Sequence, residues 1–124
     1  MICPKCNADM EKVSFQNIVV DRCTACHGIW FDCLEHEQLA KMQGSEVIDD
    51  GDPELGKQHN AIDRIKCPVC HIDMIRMVDP KQHHLWFESC TSCHGVYFDA
   101  GEFRDFKDHT LLDRLLDLFT EERK

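Results

Sequence analysis

The 124-residue sequence has no long hydrophobic run, no cluster of basic residues and no positively charged leader with an apolar stretch and a cleavage site. Its longest apolar stretches, such as Ile18-Val19-Val20, are three residues and cannot cross a bilayer. Its 23 acidic and 14 basic residues give a formal net charge of −9, whereas nucleic-acid binding usually needs a basic face. We therefore expect a cytoplasmic protein that stays off membranes, and nucleic-acid binding is disfavoured.

Cysteine, by contrast, is abundant, with nine residues in the chain. Structural disulfides are rare in a reducing cytoplasm, where closely spaced cysteines more often bind metal or carry out redox chemistry. Eight of the nine form four C-x-x-C pairs. The eight are Cys3, Cys6, Cys23, Cys26, Cys67, Cys70, Cys90 and Cys93.

The four pairs belong to an internal duplication. CPKCNADM, from Cys3 to Met10, matches CPVCHIDM, from Cys67 to Met74, at five of eight positions. CTACHGIWFD, from Cys23 to Asp32, matches CTSCHGVYFD, from Cys90 to Asp99, at seven of ten. Two tandem copies of one small unit are therefore predicted.

Each copy has the pattern of a hairpin between its two cysteine pairs. Residues 11–21 are rich in β-branched side chains, and residues 74–88 carry the same pattern around an Asp79-Pro80 turn. The apolar stretches at residues 29–31 and 96–98 predict a third strand in each copy. The predicted fold class is a small metal-bound α+β protein with two tandem zinc ribbons, each followed by a helix.

The helix starts are predicted from Asp32-x-x-Glu35 and Asp99-x-x-Glu102, in which an Asp N-cap and a Glu three residues later satisfy free backbone amides. An acid/base pair or a cation site is the alternative for these carboxylates. Neither pair is a candidate for catalysis.

The predicted domain organisation is ribbon 1 at residues 1–42, an acidic linker at 43–66, ribbon 2 at 67–107 and a C-terminal amphipathic helix at 108–124. The linker is expected to be mobile, with one helical turn opening at Pro53. Leucine and phenylalanine recur at helical spacing from Leu111 to Phe119. This helix is expected to pack on the ribbons, or to form a homodimer or partner surface.

Two C-x-x-C loops joined by a hairpin can supply four convergent thiolates to one tetrahedral ion. The pairs are separated by 16 residues in the first copy and 19 in the second, both of which suit a zinc ribbon. About forty residues per copy make too small an apolar core to fold unaided, so metal binding would supply folding energy. We predict two Zn²⁺ ions per chain, one held by Cys3, Cys6, Cys23 and Cys26 and one by Cys67, Cys70, Cys90 and Cys93.

Two other metal groups fit part of the pattern. Iron could occupy the same four-thiolate sites, as in a rubredoxin-like electron carrier. C-x-x-C-H is also the attachment pattern of c-type haem, but haem would use only the second pair of each copy and leave the first pair without a purpose. Zinc is therefore favoured.

Several residues near the cysteines have less specific roles. His27 and His94 are expected to point their backbone amides at a sulfur with their side chains outside the site, the alternative being an outer-shell or pH-sensing role. Cys33 is expected to be a small buried residue, the alternative being redox or metal exchange. The aromatic residues at 30–31 and 97–98 are expected to form core over the metal knuckles, which are the C-x-x-C loops, rather than platforms for base stacking.

The pattern C-P-x-C-x-x-x-M followed by C-x-x-C-x-G-x-W-F-D-x-G-E resembles the transcription-factor zinc-finger family, whose zinc ribbon is similar to that of transcription factor IIB. The resemblance covers residues 3–42 and 67–107 and implies a small zinc-binding β-ribbon. His27 and His94 replace the usual glycine after the knuckle. Cys33-Leu34 stands where the second copy has Ala100-Gly101, so the first helix start is expected to be less tightly turned.

The predicted function is that of a non-enzymatic protein-interaction module with two structural Zn(Cys)4 sites, because closed thiolate coordination leaves no position for water or substrate. A link to transcription follows only from the family name. The alternatives are a rubredoxin-like iron electron carrier and a zinc protein switched by thiol oxidation.

Overall fold

The computed structural model describes residues 1–62, 65–78 and 86–107. Within these ranges, six strands form one sheet in the order β1-β2-β3-β6-β5-β4. They are β1 (Met10–Phe15), β2 (Ile18–Cys23), β3 (Ile29–Phe31), β4 (Ile75–Val78), β5 (Trp86–Ser89) and β6 (Val96–Phe98). The helices are α1 (Glu35–Ala40), a 3₁₀ helix (Ser45–Ile48), α2 (Pro53–Asn60) and α3, described over residues 102–107. None of the helices within these ranges has the length and apolar character that a membrane crossing needs.

Both copies adopt the predicted hairpin plus third strand. Gln16 and Asn17 form the two-residue turn between β1 and β2, and both have positive φ angles of 46° and 75°. Positive φ at both central positions is typical of hairpin turns whose twist matches that of the strands. The predicted Asp79-Pro80 turn and the longer helix at residues 108–124 lie outside the described residues.

The third strands join the two copies into one sheet. β3 and β6 pair in antiparallel fashion, with Trp30 opposite Tyr97 and one further pair on each side. Trp30 and Tyr97 occupy equivalent positions in the duplication, so the pairing is related by a pseudo-two-fold axis between them. The two ribbons therefore pack as the two halves of a continuous sheet.

Each face of the sheet carries its own apolar core. One core combines Trp30 and Tyr97 with the buried cysteines of both copies. The other lies under the helices and contains Phe31, Phe98 and Phe103, all fully buried. The predicted role of the aromatic residues as core over the knuckles is thus confirmed for Trp30 and Tyr97, while their phenylalanine neighbours face the helices.

The predicted Asp caps are wrong. The Asp32 backbone amide donates to Glu35 Oε1 at 2.9 Å, as expected, but the Asp32 carboxylate accepts from Trp30 Nε1 at 3.2 Å. The Asp99 carboxylate accepts from Lys5 Nζ at 2.7 Å. Both carboxylates accept hydrogen bonds from side chains of the sheet and the first knuckle, so neither accepts a hydrogen bond from the free backbone amides at the start of a helix.

Both helix starts use the same tight turn. Leu34 has a φ of 66° and Gly101, its counterpart, has a φ of 87°. Glycine adopts this left-handed conformation without a steric penalty, whereas leucine does so under strain. The expectation that the first start is less tightly turned is therefore wrong, because Leu34 is forced into the conformation that Gly101 adopts freely.

Residues 45–60 form a packed bridge between the copies rather than a mobile connector. Helix α2 begins at Pro53, as predicted, and the Asp52 side chain caps it by accepting from the Glu54 amide at 3.0 Å. Asp49 is buried and accepts from the backbone amides of Gly101 and Arg104 at 2.9 and 3.0 Å. The bridge thus supplies the cap that α3 lacks within its own copy. The exact domain boundaries stay a prediction.

Candidate metal centres

The structure brings the eight paired cysteines into two groups of four. Within each group all the sulfur atoms lie within 4.8 Å of one another. Each group draws two sulfurs from the loop before its hairpin and two from the loop after it. Neither group of possible metal ligands found in the described residues includes a histidine or a carboxylate. The first centre comprises Cys3, Cys6, Cys23 and Cys26, and the second comprises Cys67, Cys70, Cys90 and Cys93.

The sulfur spacings fit a tetrahedral metal. Sulfurs placed 2.3 Å from a tetrahedral ion stand about 3.8 Å from each other. The measured Sγ–Sγ distances are 3.8 Å for Cys3 and Cys26, 3.2 Å for Cys6 and Cys23, and 3.7 Å for Cys67 and Cys93. A donor set of four thiols at this spacing suits Zn²⁺ or iron and has little affinity for hard cations such as Mg²⁺ or Ca²⁺.

Backbone amides point at the sulfurs within the knuckles. The amides of Ala25 and Cys26 each lie 3.4 Å from Cys23 Sγ, and in the second centre the Cys70 amide lies 3.2 Å from Cys67 Sγ. These amides stabilise negative charge on sulfur. The knuckle loops are thus shaped to hold thiolates before any metal arrives.

The residue after each knuckle turns the chain with a positive φ. Asn7, His27, His71 and His94 have φ values between 62° and 65°. Glycine, asparagine and histidine tolerate this region better than most residues, which explains why histidine can stand where the family usually has glycine. The His27 amide donates to the Cys23 carbonyl at 3.2 Å, so the expected contact of that amide with a sulfur is wrong.

His27 and the ninth cysteine, Cys33, do not belong to either four-cysteine group. His27 Nδ1 is 2.9 Å from Asp50 Oδ1 and its side chain is about a third exposed, so the expectation that it lies outside the site is confirmed. Cys33 is exposed, and the expectation that it is a small buried residue is wrong. Its counterpart in the second copy, Ala100, precedes the same turn but is buried, because Gly51 and Gly56 pack against it.

Thiols of the two centres differ in acidity. A hydrogen bond with Cys26, assisted by the Tyr97 hydroxyl, lowers the pKa of Cys3 to about 4. Burial raises the pKa of Cys93 in the second centre to about 12. Metal ions bind the deprotonated thiolates, so metal binding must displace protons and weakens as the pH falls.

The sequence analysis did not predict the contacts that two residues make at the first centre. The Tyr97 hydroxyl oxygen lies 3.3 Å from Cys3 Sγ and 3.4 Å from Cys26 Sγ, although Tyr97 belongs to the second ribbon. Lys5 sits in the first knuckle, and its fully buried ammonium contacts Glu88 and Asp99 of the second ribbon at 2.9 and 2.7 Å. Both contacts cross between the copies, which sequence pattern alone does not locate.

One sequence signal did point to the crossing. A glycine stands two residues after the last cysteine of each second knuckle, at positions 28 and 95. A Cβ on Gly28 would overlap the Tyr97 hydroxyl, and one on Gly95 would overlap the Trp30 ring. Each glycine therefore leaves room for the aromatic side chain of the other copy.

The comparison with protein families matches residues 2–42 and 66–109 to the family described as Transcription factor zinc-finger, of the transcription factor IIB zinc-ribbon type. The comparisons with curated proteins and with solved structures found no match. The two matched segments coincide with the two copies that carry the four-cysteine groups, and together they cover more than half of the chain. The protein therefore belongs to the transcription factor zinc-finger family and contains two tandem zinc ribbons.

Proposed function

We propose that this protein is a non-enzymatic zinc-binding module that holds two structural Zn(Cys)4 ions and binds a protein partner. The observation that carries the proposal is the pair of closed four-sulfur groups, in which all ligand atoms lie within 4.8 Å of one another. Four thiolates complete the coordination of Zn²⁺ and leave no position for a water or a substrate. The metal then supplies folding energy to two ribbons with small apolar cores.

The first experiment is metal content per chain together with the visible absorption spectrum, on protein expressed without added metal. Two zinc ions and no colour are expected. Iron with thiolate-to-metal absorption bands would replace the proposal with a rubredoxin-like electron carrier, and a haem spectrum would overturn it.

A second experiment tests the structural role of the metal. Removal of both ions with a chelator is expected to abolish the dispersed tertiary signals of the folded protein, as measured by NMR or near-ultraviolet circular dichroism. A protein that kept its fold after losing both ions would contradict the structural role. Zinc release under mild peroxide with recovery on reduction would favour the redox-switched alternative.

The partner surface that we propose is the groove between the two C-P-x-C knuckles. The groove has a volume of about 580 Å³, and its lining includes Met1, Ile2, Pro4, Ile62 and Pro68. Met1, Ile2 and Ile62 are 41–52% exposed although they are apolar. Exposed apolar side chains gathered in a concave surface are typical of interaction sites.

The proposed occupant is an apolar segment of another protein, one that carries a net positive charge. The formal net charge of the chain is −9, and two Zn(Cys)4 sites would lower it to about −13. Such a charge favours partners of opposite sign and repels acidic surfaces, nucleic acids included. We further propose, from the name of the family alone, that the partner belongs to the transcription machinery.

The groove is tested by Ile62→Asp, with Val47→Asp as the matched control. Val47 is equally apolar and 65% exposed, but it does not line the groove. Ile62→Asp is expected to lose a stoichiometric partner that wild type and Val47→Asp retain, and retention by all three would contradict the proposal. A dimer that Ile62→Asp dissociates would identify a second copy as the occupant, and binding gained on deletion of residues 108–124 would identify that segment.

A further inference from the structure

The two metal centres are not equivalent, because the aromatic residues at the pseudo-two-fold axis carry different polar groups. Tyr97 extends from β6 to the first centre, and its hydroxyl oxygen lies within 3.4 Å of Cys3 Sγ and Cys26 Sγ. Trp30 occupies the equivalent position in β3. Its indole Nε1 donates to Asp32 Oδ1 at 3.2 Å and is therefore not available to a sulfur.

The hydroxyl is a donor that suits a thiolate. A metal-bound thiolate only accepts hydrogen bonds, while a neutral tyrosine hydroxyl has one hydrogen to give. Tyr97 is fully buried, so the hydroxyl has little access to competing water. In the second centre, the sulfurs have backbone amides and one another as their partners among the described residues, as with the amides of Val69 and Cys70 at Cys67 Sγ.

The burial of the ligands differs in the same direction. Three ligands of the first centre are buried and only Cys6 is half-buried. In the second centre, Cys70 and Cys93 are both half-buried. Solvent and small chelators therefore reach two ligands of the second centre but one of the first.

We propose that Tyr97 is an outer-shell residue of the first metal centre, supplied by the second ribbon, and that the second centre releases its metal first. The first centre is then stabilised by a hydrogen bond that exists only while β6 of the second ribbon is paired with β3 of the first. Outer-shell partners of metal ligands typically change metal affinity by about 10–100-fold. This inference rests on the proposed function, because it assumes that both centres hold metal.

The test uses ¹¹³Cd²⁺ as the metal in both centres of the full chain. Each four-cysteine site gives its own cadmium resonance, which can be assigned through couplings to the cysteine β protons. With a chelator added in excess, the resonance of the second centre is expected to disappear first in the wild type. Tyr97→Phe removes the hydroxyl and keeps the ring, and it is expected to accelerate metal loss from the first centre about tenfold or more.

The matched control is Thr24→Ala. Thr24 lies in the knuckle between Cys23 and Cys26, but its hydroxyl donates to the Asp9 carbonyl at 2.8 Å and not to a sulfur. This variant is expected to leave both release rates unchanged. An unchanged release rate from the first centre in Tyr97→Phe, or earlier release from the first centre in the wild type, would overturn the inference.

A second measurement covers the case in which Tyr97→Phe does not fold. Tyr97 is the one tyrosine in the chain, so a label at the tyrosine ζ carbon gives a single NMR resonance without assignment. In the fully loaded protein this resonance is expected to shift when Cd²⁺ replaces Zn²⁺, because the Tyr97 hydroxyl contacts two ligand sulfurs of the first centre, and no shift would overturn the inference. Metal analysis beforehand distinguishes a failure of the proposed function from a failure of the inference. Fewer than two ions per chain refutes the proposed function, whereas two ions per chain with no shift of the Tyr97 resonance refutes only the inference.

Discussion

Replacement of Lys5 by methionine is expected to destabilise the protein strongly. The Lys5 side chain is completely buried, and its ammonium contacts Glu88 Oε1 at 2.9 Å and Asp99 Oδ2 at 2.7 Å, both on side chains less than 4% exposed. It also donates to the His59 carbonyl at 3.0 Å. Methionine has a similar length but no charge and no donor, so Lys5→Met leaves two buried carboxylates and one carbonyl without their partner.

The expected magnitude follows from the burial of the group. Loss of one partner of a buried ion pair costs about 3–5 kcal/mol, because the remaining charge is neither solvated nor paired. At a chain length of 124 residues, 1 kcal/mol shifts Tm by about 4 °C. Lys5→Met should therefore lower Tm by about 12–20 °C, as measured by thermal unfolding in excess zinc.

Lys66→Met is the matched control. The Lys66 ammonium also lies close to a carboxylate oxygen, 3.1 Å from that of Asp73, but the two side chains are 68% and 80% exposed. Solvent screens this pair, so little change in Tm is expected. The double variant Lys5→Met/Asp99→Asn should recover part of the loss, because an amide needs no counterion. Equal Tm values for the Lys5 and Lys66 variants would refute the argument from burial.

Three further predictions concern strain, pH and metal. Leu34→Gly should stabilise the protein by up to about 1 kcal/mol, because glycine adopts the left-handed conformation without strain and the leucine side chain is 60% exposed. The gain is measured as a rise in Tm, and a fall in Tm would contradict the argument from backbone strain. Burial lowers the pKa of His36, whose Nδ1 has no hydrogen-bond partner. The unfolded state therefore binds a proton at this histidine more readily than the folded state does, and the folded protein loses stability as the pH falls through about 6.5. His36→Phe, which copies Phe103 of the second ribbon, should lose less Tm between pH 7.5 and 5.5 than wild type, in buffers near those values and with excess zinc; an equal loss would assign the pH dependence elsewhere. Metal retention should also weaken in acid, because protons compete for the thiolates, and chelator titrations at two pH values measure this.

The local elements of each ribbon could be predicted because short-range chemistry determines them. The cysteine spacing predicted which sulfurs come together, and the β-branched residues predicted the hairpins. Proline at position 53 predicted the start of α2. Each of these signals acts over a few residues, and the two copies repeat most of them.

The contacts between the copies could not be predicted in the same way. Asp49 caps a helix that begins about fifty residues later in the chain, and Lys5 finds its carboxylates on β5 and after β6. Besides the glycines at positions 28 and 95, the sequence carries a second signal: the stretches at residues 29–31 and 96–98 are apolar at every position instead of alternating. A strand that is buried on both faces belongs in the middle of a sheet, as β3 and β6 do.

The pseudo-two-fold pairing of β3 with β6 also determines how the sequences of the two copies can diverge. Two separate copies of one ribbon arranged about this axis would form the same sheet as a homodimer, at a concentration-dependent cost in association entropy. Covalent linkage replaces that cost with a high effective concentration. It also removes a constraint, since a substitution in a homodimer appears on both sides of the axis. In one chain, Trp30 and Tyr97 can face each other as different residues, and only one of the two metal centres receives a hydroxyl.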